Sequence, residues 1–294
     1  MSGRATARAV AVGVLVTASL AYLAWDVVLA VRVPGEGAWE TAAETVRRGY
    51  KEGDCVVFDP PWAQEGAPLF DGLDVITTET VDWYEVGKRA RVWIVSSPGG
   101  DGAIPAGFKR IERKDEGGMG VSLYRAPVRG KLLFSFLDGL GKARVSRVYK
   151  DRTERCTNFR NDRWYCGGVH AWRFVGRYVR DIAGAEREMI WAHPMENGVR
   201  TLVNFPAVPR GGTLVIHFGL TQRAIETGAG APVTFVVDVD RKQVFRRVLG
   251  VREEGWFEQS VKVPGRGSAV DVTFSVSTPD NKDRQFCFTA DMWE

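Results

Sequence analysis

Between Ala9 and Val33 the chain reads AVAVGVLVTASLAYLAWDVVLAVRV, and no other stretch limits so strongly what it can become. Seventeen consecutive residues, Ala9 to Trp25, carry no charge, and VVLAV resumes after Asp26. Together they supply the roughly 20 apolar residues a helix needs to cross a bilayer core. Asp26 lies past the middle of the run, toward the interface, where hydration and snorkelling offset its insertion cost. Arg4 and Arg8 precede the run, whereas Glu36, Glu40 and Glu44 follow it. The basic flank therefore predicts a cytoplasmic tail over 1–8, a transmembrane anchor over 9–33, and a cell-membrane protein. A cleaved signal peptide ending at Val28-Leu29-Ala30 is the rival, with an apolar core longer than the usual about 7–15 residues. Both readings place the rest of the chain in the periplasm or outside the cell.

The 294 residues leave about 260 beyond the anchor, enough for two domains of about 100–200 each. With 40 basic against 36 acidic residues, interspersed and without a basic arm, the chain has no nucleic-acid footprint. Four cysteines in an oxidising compartment predict at least one disulfide.

From 34 to 126 the pattern predicts a small α/β, Rossmann-like domain. Residues 38–50 have helical spacing, 55–58 and 89–96 are buried strands, 74–77 is a shorter strand, and 108–112 with 121–124 form a closing hairpin. After the first strand, Asp59-Pro60-Pro61-Trp62 is similar to the DPPW signature of adenine N6-methyltransferases. No strand is followed by the glycine-rich turn that the methyl donor needs, and the stretch reads as a rigid loop. As a whole, GD-CVVFDPPW, RARVWIVSS, GFKRIER and VSLYRAP resemble the soluble domain that follows the membrane helices of bacterial GT-C glycosyltransferases of the protein-mannosyltransferase type. That resemblance, over about 38–126, implies a domain related to envelope glycan assembly. The catalytic acid and lipid-linked donor site of those enzymes lie in multi-pass regions for which a single-span chain has no counterpart, so no catalytic residue carries over.

From 127 to 294 short strands alternate with polar turns, and Val233, Phe235, Val237 and Val239 keep a period of two. Ten such strands predict an all-β sandwich. Its tail, PVTFVVDVDRKQVFRRV, GWFEQSVKV and DVTFSVSTPDNKDRQFCFTADMWE, resembles a jelly-roll of the carbohydrate-binding or galactose-binding type over 200–294. Cys156 and Cys166 flank TNFRNDRWY and are expected to pair, whereas Cys55 and Cys287 sit in apolar strands as buried thiols. No Cys-x-x-Cys pair or zinc-type histidine spacing is present, so no metal and no cofactor is expected.

Trp191, His193, Glu196 and Asn197 form the most site-like stretch, with a ring face for a sugar and polar groups for its hydroxyls. The competing reading places Trp191 in the core and His193 on a backbone carbonyl. No hydrolase or protease signature is present and no catalytic residue is assigned. The sequence thus predicts a non-enzymatic, single-span envelope protein whose sandwich binds a glycan or a membrane-protein partner. The alternatives are an accessory subunit of a glycosyltransferase, an envelope-glycan hydrolase, or a structural module of a membrane assembly.

Overall fold

The computed structural model describes residues 17, 19–23, 34, 36–60, 66–77, 81–97, 104–127, 130–167 and 173–294. The expected anchor, Pro61-Trp62, His170 and Trp172 lie outside these residues, apart from positions 17 and 19–23 of the anchor. Among the described residues no helix is long and apolar enough to cross a membrane. The chain divides into two compact units, Met1–Pro127 and Val128–Glu294.

In the first unit, helix α1 (Glu36–Gly49) precedes β1 (Asp54–Asp59), β2 (Val75–Ile76), the one-turn helix α2 (Trp83–Val86), β3 (Arg91–Ser96), β4 (Lys109–Glu116) and β5 (Met119–Arg125). Trp39, Ala42, Ala43 and Val46 recur along one helical face and are buried with Phe58, Trp93 and Leu123. On the sheet's other face, Cys55, Val57, Val92 and Ile94 pack with Val86 of α2. Both faces of β1 and β3 are therefore covered, which is why their sequences run apolar without alternation. The strand order is β2-β1-β3-β5-β4. Only β2, β1 and β3 run parallel, and β5 is antiparallel to both β3 and β4. The sheet is mixed, and the expected Rossmann-like arrangement is not what these elements form. The hairpin returns on itself at Gly117-Gly118, both at positive φ, instead of crossing through a helix. β4 presents Lys109, Arg110, Glu112, Arg113 and Lys114 at the sheet edge, charges that discourage pairing with another chain.

One buried carboxylate ties this unit together. Asp54, 2% exposed, accepts hydrogen bonds from Arg91 Nε (2.8 Å), Trp93 Nε1 (3.1 Å) and the Lys51 amide (2.9 Å). Arg91 also donates to the Gly49 carbonyl at the end of α1 (2.9 Å). Burial pushes the Asp54 carboxyl upward, but the bonds from Arg91, Lys51 and Trp93 and the Arg91 charge bring it below the ordinary carboxylate range.

The second unit begins with β6 (Leu132–Ser135), β7 (Arg144–Val148), β8 (Thr153–Cys156), β9 (Asn158–Arg160), β10 (Arg163–Tyr165), β11 (Phe174–Ile182) and β12 (Ala185–Ala192). It continues with β13 (Arg200–Pro209), β14 (Thr213–Leu220), helix α3 (Gln222–Thr227), β15 (Val233–Val239), β16 (Lys242–Leu249), β17 (Phe257–Lys262), β18 (Ala269–Ser277) and β19 (Phe286–Trp293). Two antiparallel sheets result: β17-β14-β19-β12-β11-β10-β9, with β6 also paired to β19, and β16-β15-β18-β13-β7-β8. They enclose one core in which Phe136 meets Phe205 edge-on at 4.9 Å and Phe274 lies 4.7 Å from Phe288. The unit is an all-β sandwich, with α3 as an addition the sequence pattern does not announce. Asn161-Asp162, Ala183-Gly184 and Asp240-Arg241 all take positive φ as two-residue hairpin turns.

Cys156 and Cys166 form the expected disulfide, and Cys55 and Cys287 are free and buried. Cys156 ends β8 in one sheet and Cys166 follows β10 in the other, so the bond fastens the two layers at one edge. Closing so short a loop stabilises the folded state by about 3 kcal/mol in the chain-entropy picture.

Replacing both cysteines by serine should lower unfolding stability by about that amount in urea titrations of the full chain. An unchanged midpoint would show that the link contributes nothing. Asp54→Ala leaves the Arg91 guanidinium without its carboxylate and should cost about 3 kcal/mol or more. The check is the unfolding transition reported by Trp93 fluorescence.

Candidate functional site

The sheet face turned away from the Phe-rich core carries a groove of about 680 Å³. Its floor comes from β11 and β12. Along β11, Phe174, Gly176, Tyr178 and Arg180 alternate with core-facing Val175, and Gly176 stands opposite Trp191 of β12. Phe174 and Trp191 stack with centroids 6.1 Å apart, and Trp191 stacks on His193 at 5.9 Å. Gly176 also pairs with Arg163 of β10. A Cβ there would stand 2.5 Å from Arg163 Cγ and 2.8 Å from the Asp162 carbonyl. The missing side chain thus lets Arg163 lie across the strand, its guanidinium 4.5 Å from the Phe174 centroid and 5.1 Å from that of Tyr178. Arg180 stacks on Tyr178 at 4.2 Å and donates a hydrogen bond to its hydroxyl.

Arg223 of α3 and the loop before β19, with Asn281, Lys282 and Asp283, complete the walls. Buried Arg284 fixes both. It donates to the Ala224 carbonyl of α3 (2.6 Å) and to the Val251 carbonyl (2.8 Å) while fully shielded from solvent. Thr221 caps α3 and donates to Gln285 Oε1 at 2.8 Å, which orients a further lining side chain.

Of the four residues expected at a site, Trp191 and His193 line this groove and Glu196 and Asn197 do not. Trp191 is 5% exposed, with Phe174 and His193 against its ring faces, so it serves as floor rather than as an open stacking platform. Asn197 takes the left-handed conformation (φ 57) in an exposed turn. The amides of Asn197 and Gly198 donate to the carbonyls of Pro279 (3.1 Å) and Thr278 (3.3 Å), bracing the base of the 279–285 loop. Arg163, Tyr178, Arg180, Arg223, Asn281 and Lys282 were not legible as site residues, because only the pairing of distant strands brings them together. Among the described residues no group of three or more His, Cys, Asp or Glu side chains could hold a metal ion.

A second groove, of about 590 Å³, lies on the six-stranded sheet around Ser146, Asn204, Thr273 and Trp164. There the Asn204 amide donates to Thr273 (2.9 Å) and the Trp164 indole to the Leu140 carbonyl (3.0 Å), so two of its polar groups are already engaged.

Burial, with the charges of Arg173 and Arg147, holds the His193 imidazole down at about 4. Below its ordinary value of 6.5 the unfolded chain takes up a proton that the folded chain refuses until about pH 4. His193 therefore contributes stability fully above pH 6.5 and loses it as the pH falls toward 4. Between pH 7.5 and 5 the native protein should lose about 2 kcal/mol more unfolding stability than His193→Gln. Parallel pH profiles of the two proteins in urea titrations would contradict this.

No protein-family model and no curated protein sequence matches the chain. Among solved structures, it is similar to the tandem CBM51 modules of a family 98 glycoside hydrolase from Streptococcus pneumoniae SP3-BS71, at 12% identity over 61% of this chain and 56% of that one, with a TM-score of 0.35. It is also similar to a CBM51 from Clostridium perfringens GH95 in complex with methyl-galactose, at 15% identity over 39% and 78%, with a TM-score of 0.29. The CBM51-2 and INT domains of Clostridium perfringens ZmpB match at 10% identity over 40% of this chain and only 25% of theirs, again with a TM-score of 0.29. These neighbours are carbohydrate-binding modules, and none of them shows the expected likeness of residues 38–126 to a GT-C domain. Overlaps this loose transfer neither a ligand nor a site, so the chemistry of the groove stands on its own residues.

Proposed function

We propose that the β-sandwich is a carbohydrate-binding module without a reaction of its own, held outside the cytoplasm by the apolar segment 9–33. The observation that carries this reading is the groove over β11 and β12. It is preformed, has an aromatic floor, and is walled by side chains whose polar ends converge on one space. Its shape is set before any ligand arrives, because Arg163 and Arg180 are stacked on rings and the 279–285 loop is pinned by Arg284. The Cys156–Cys166 bond supports a location in an oxidising compartment, and the basic flank of the apolar run supports a cytoplasmic N-terminus. The partner in this reading is an envelope glycan presented near the membrane surface.

The test uses the full chain, produced with its disulfide intact and purified in detergent, on immobilised polysaccharides of differing charge and linkage. Saturable retention on at least one polymer is expected, weakened by Asn281→Ala and by Gly176→Ala, which drives Arg163 out of its seat. Absence of retention on every polymer by folded protein would refute the reading. Carbonate extraction of membranes and protease protection check the anchor and the sidedness independently.

A further inference from the structure

The donors and acceptors in the groove are far from balanced. Arg163, Arg180, Arg223 and Lys282 bring only donors, and Asp283 is the one carboxylate lining it among the described residues. None of the four cations has an ion-pair partner among the described residues. Two of the acceptors are already engaged: the Tyr178 hydroxyl takes a bond from Arg180, and Gln285 Oε1 takes one from Thr221. Asp283 sits beside the charge of buried Arg284. The Asn281 amide nitrogen is buried without a hydrogen-bond partner among the described residues, adding one more unused donor.

A neutral sugar offers hydroxyls that both give and accept, and needs acceptors in its site. This site sets a single carboxylate and a few amide and hydroxyl oxygens against four cations. Two guanidiniums held over aromatic rings instead present the planar, forked donors that suit a carboxylate or a phosphate. The wider charge agrees. Residues 128–294 hold 26 Lys and Arg against 19 Asp and Glu, an excess of seven, whereas residues 1–127 hold 14 against 17. Field and donor pattern thus favour the same kind of ligand.

We infer that the ligand of this groove is an anionic glycan, bearing carboxylate or phosphate groups that bind Arg163, Arg180, Arg223 and Lys282. This rests on the carbohydrate-binding reading of the same groove. Asn281 and the half-buried Asp283 are left to contact hydroxyls, so the site distinguishes a charged sugar from a bare anion.

The experiment measures binding of the full chain to polygalacturonate, to the same polymer with its carboxyls reduced to alcohols, to a phosphodiester-linked glycan, and to polyglutamate. Binding to polygalacturonate or to the phosphodiester glycan is expected, and which of the two binds identifies the anion. That binding should fall about tenfold in Arg163→Gln and again when salt rises from about 50 to about 500 mM. Arg246→Gln, which removes one exposed charge from β16 at the edge of the other sheet, should leave it unchanged. Equal binding to native and reduced polygalacturonate would overturn the anionic assignment and leave the carbohydrate reading standing. Equal binding to polyglutamate, or equal losses in the Arg163 and Arg246 variants, would reduce the effect to ion exchange and also overturn it. No binding to any polysaccharide would remove the carbohydrate reading itself.

Discussion

The pairing register of β11 with β12 decides two surfaces at once. Side chains of a strand alternate between faces, so the register that sends Val175, Ile190 and Ala192 into the Phe-rich core also raises Phe174, Tyr178 and Trp191 on the opposite face. A slip of one residue would exchange the two sets. The core then enforces the groove: burying a large apolar side chain is worth roughly 1.5–3 kcal/mol, and several such side chains hold the register in place. The groove needs no separate scaffold, because it is the reverse side of the packing that stabilises the sandwich.

Arginine is used here in two different ways. Arg284 and Arg147 are buried and spend their donors on backbone carbonyls: Arg284 on Ala224 and Val251, and Arg147 on Arg173 (2.9 Å). They act as struts between segments that share no ladder. Arg163 and Arg180 lie instead against ring faces, which leaves their edges available. The stack restricts a long, flexible side chain before a ligand is present, and so lowers the entropy lost on binding. Gly176 belongs to the same arrangement, since any Cβ at that position would occupy the path of the Arg163 stem.

The helix of the first unit and the sandwich of the second were legible because they rest on local periodicity. Trp39, Ala42, Ala43 and Val46 repeat as a helical face, and Val233 to Val239 as a strand. The closing hairpin of the first unit was legible from 108–112 and 121–124, but not that its second strand lies antiparallel beside β3, which is what makes the sheet mixed. In the second unit the sequence pattern does not announce β12. Glu186, Arg187 and Glu188 break its apolar pattern at the exposed end, and the sequence from Trp191 onward reads as a loop. Trp191 and His193 were singled out for their residue types and do line the groove. Glu196 and Asn197 are site-like only as their neighbours in sequence, and they lie in the turn that props the 279–285 loop. The cationic wall was invisible for a topological reason: Arg163, Arg180, Arg223 and Lys282 come from three strands or helices and one loop spread over about 120 residues of chain.

The disulfide bears on this wall as well. Arg163 belongs to the short β9–β10 hairpin, and the hairpin lies inside the loop that Cys156 and Cys166 close. Three register pairs with β11 and three with the exposed edge strand β9 are all the ladder that β10 has. The covalent bond fixes both ends of that hairpin, and its turn is held as well, because the Arg177 amide of β11 donates to the Asp162 carbonyl (2.9 Å). The reach of the Arg163 guanidinium is then limited by a covalent bond outside the groove itself, so the shape of the cationic wall depends on the oxidation state of two thiols that touch no ligand.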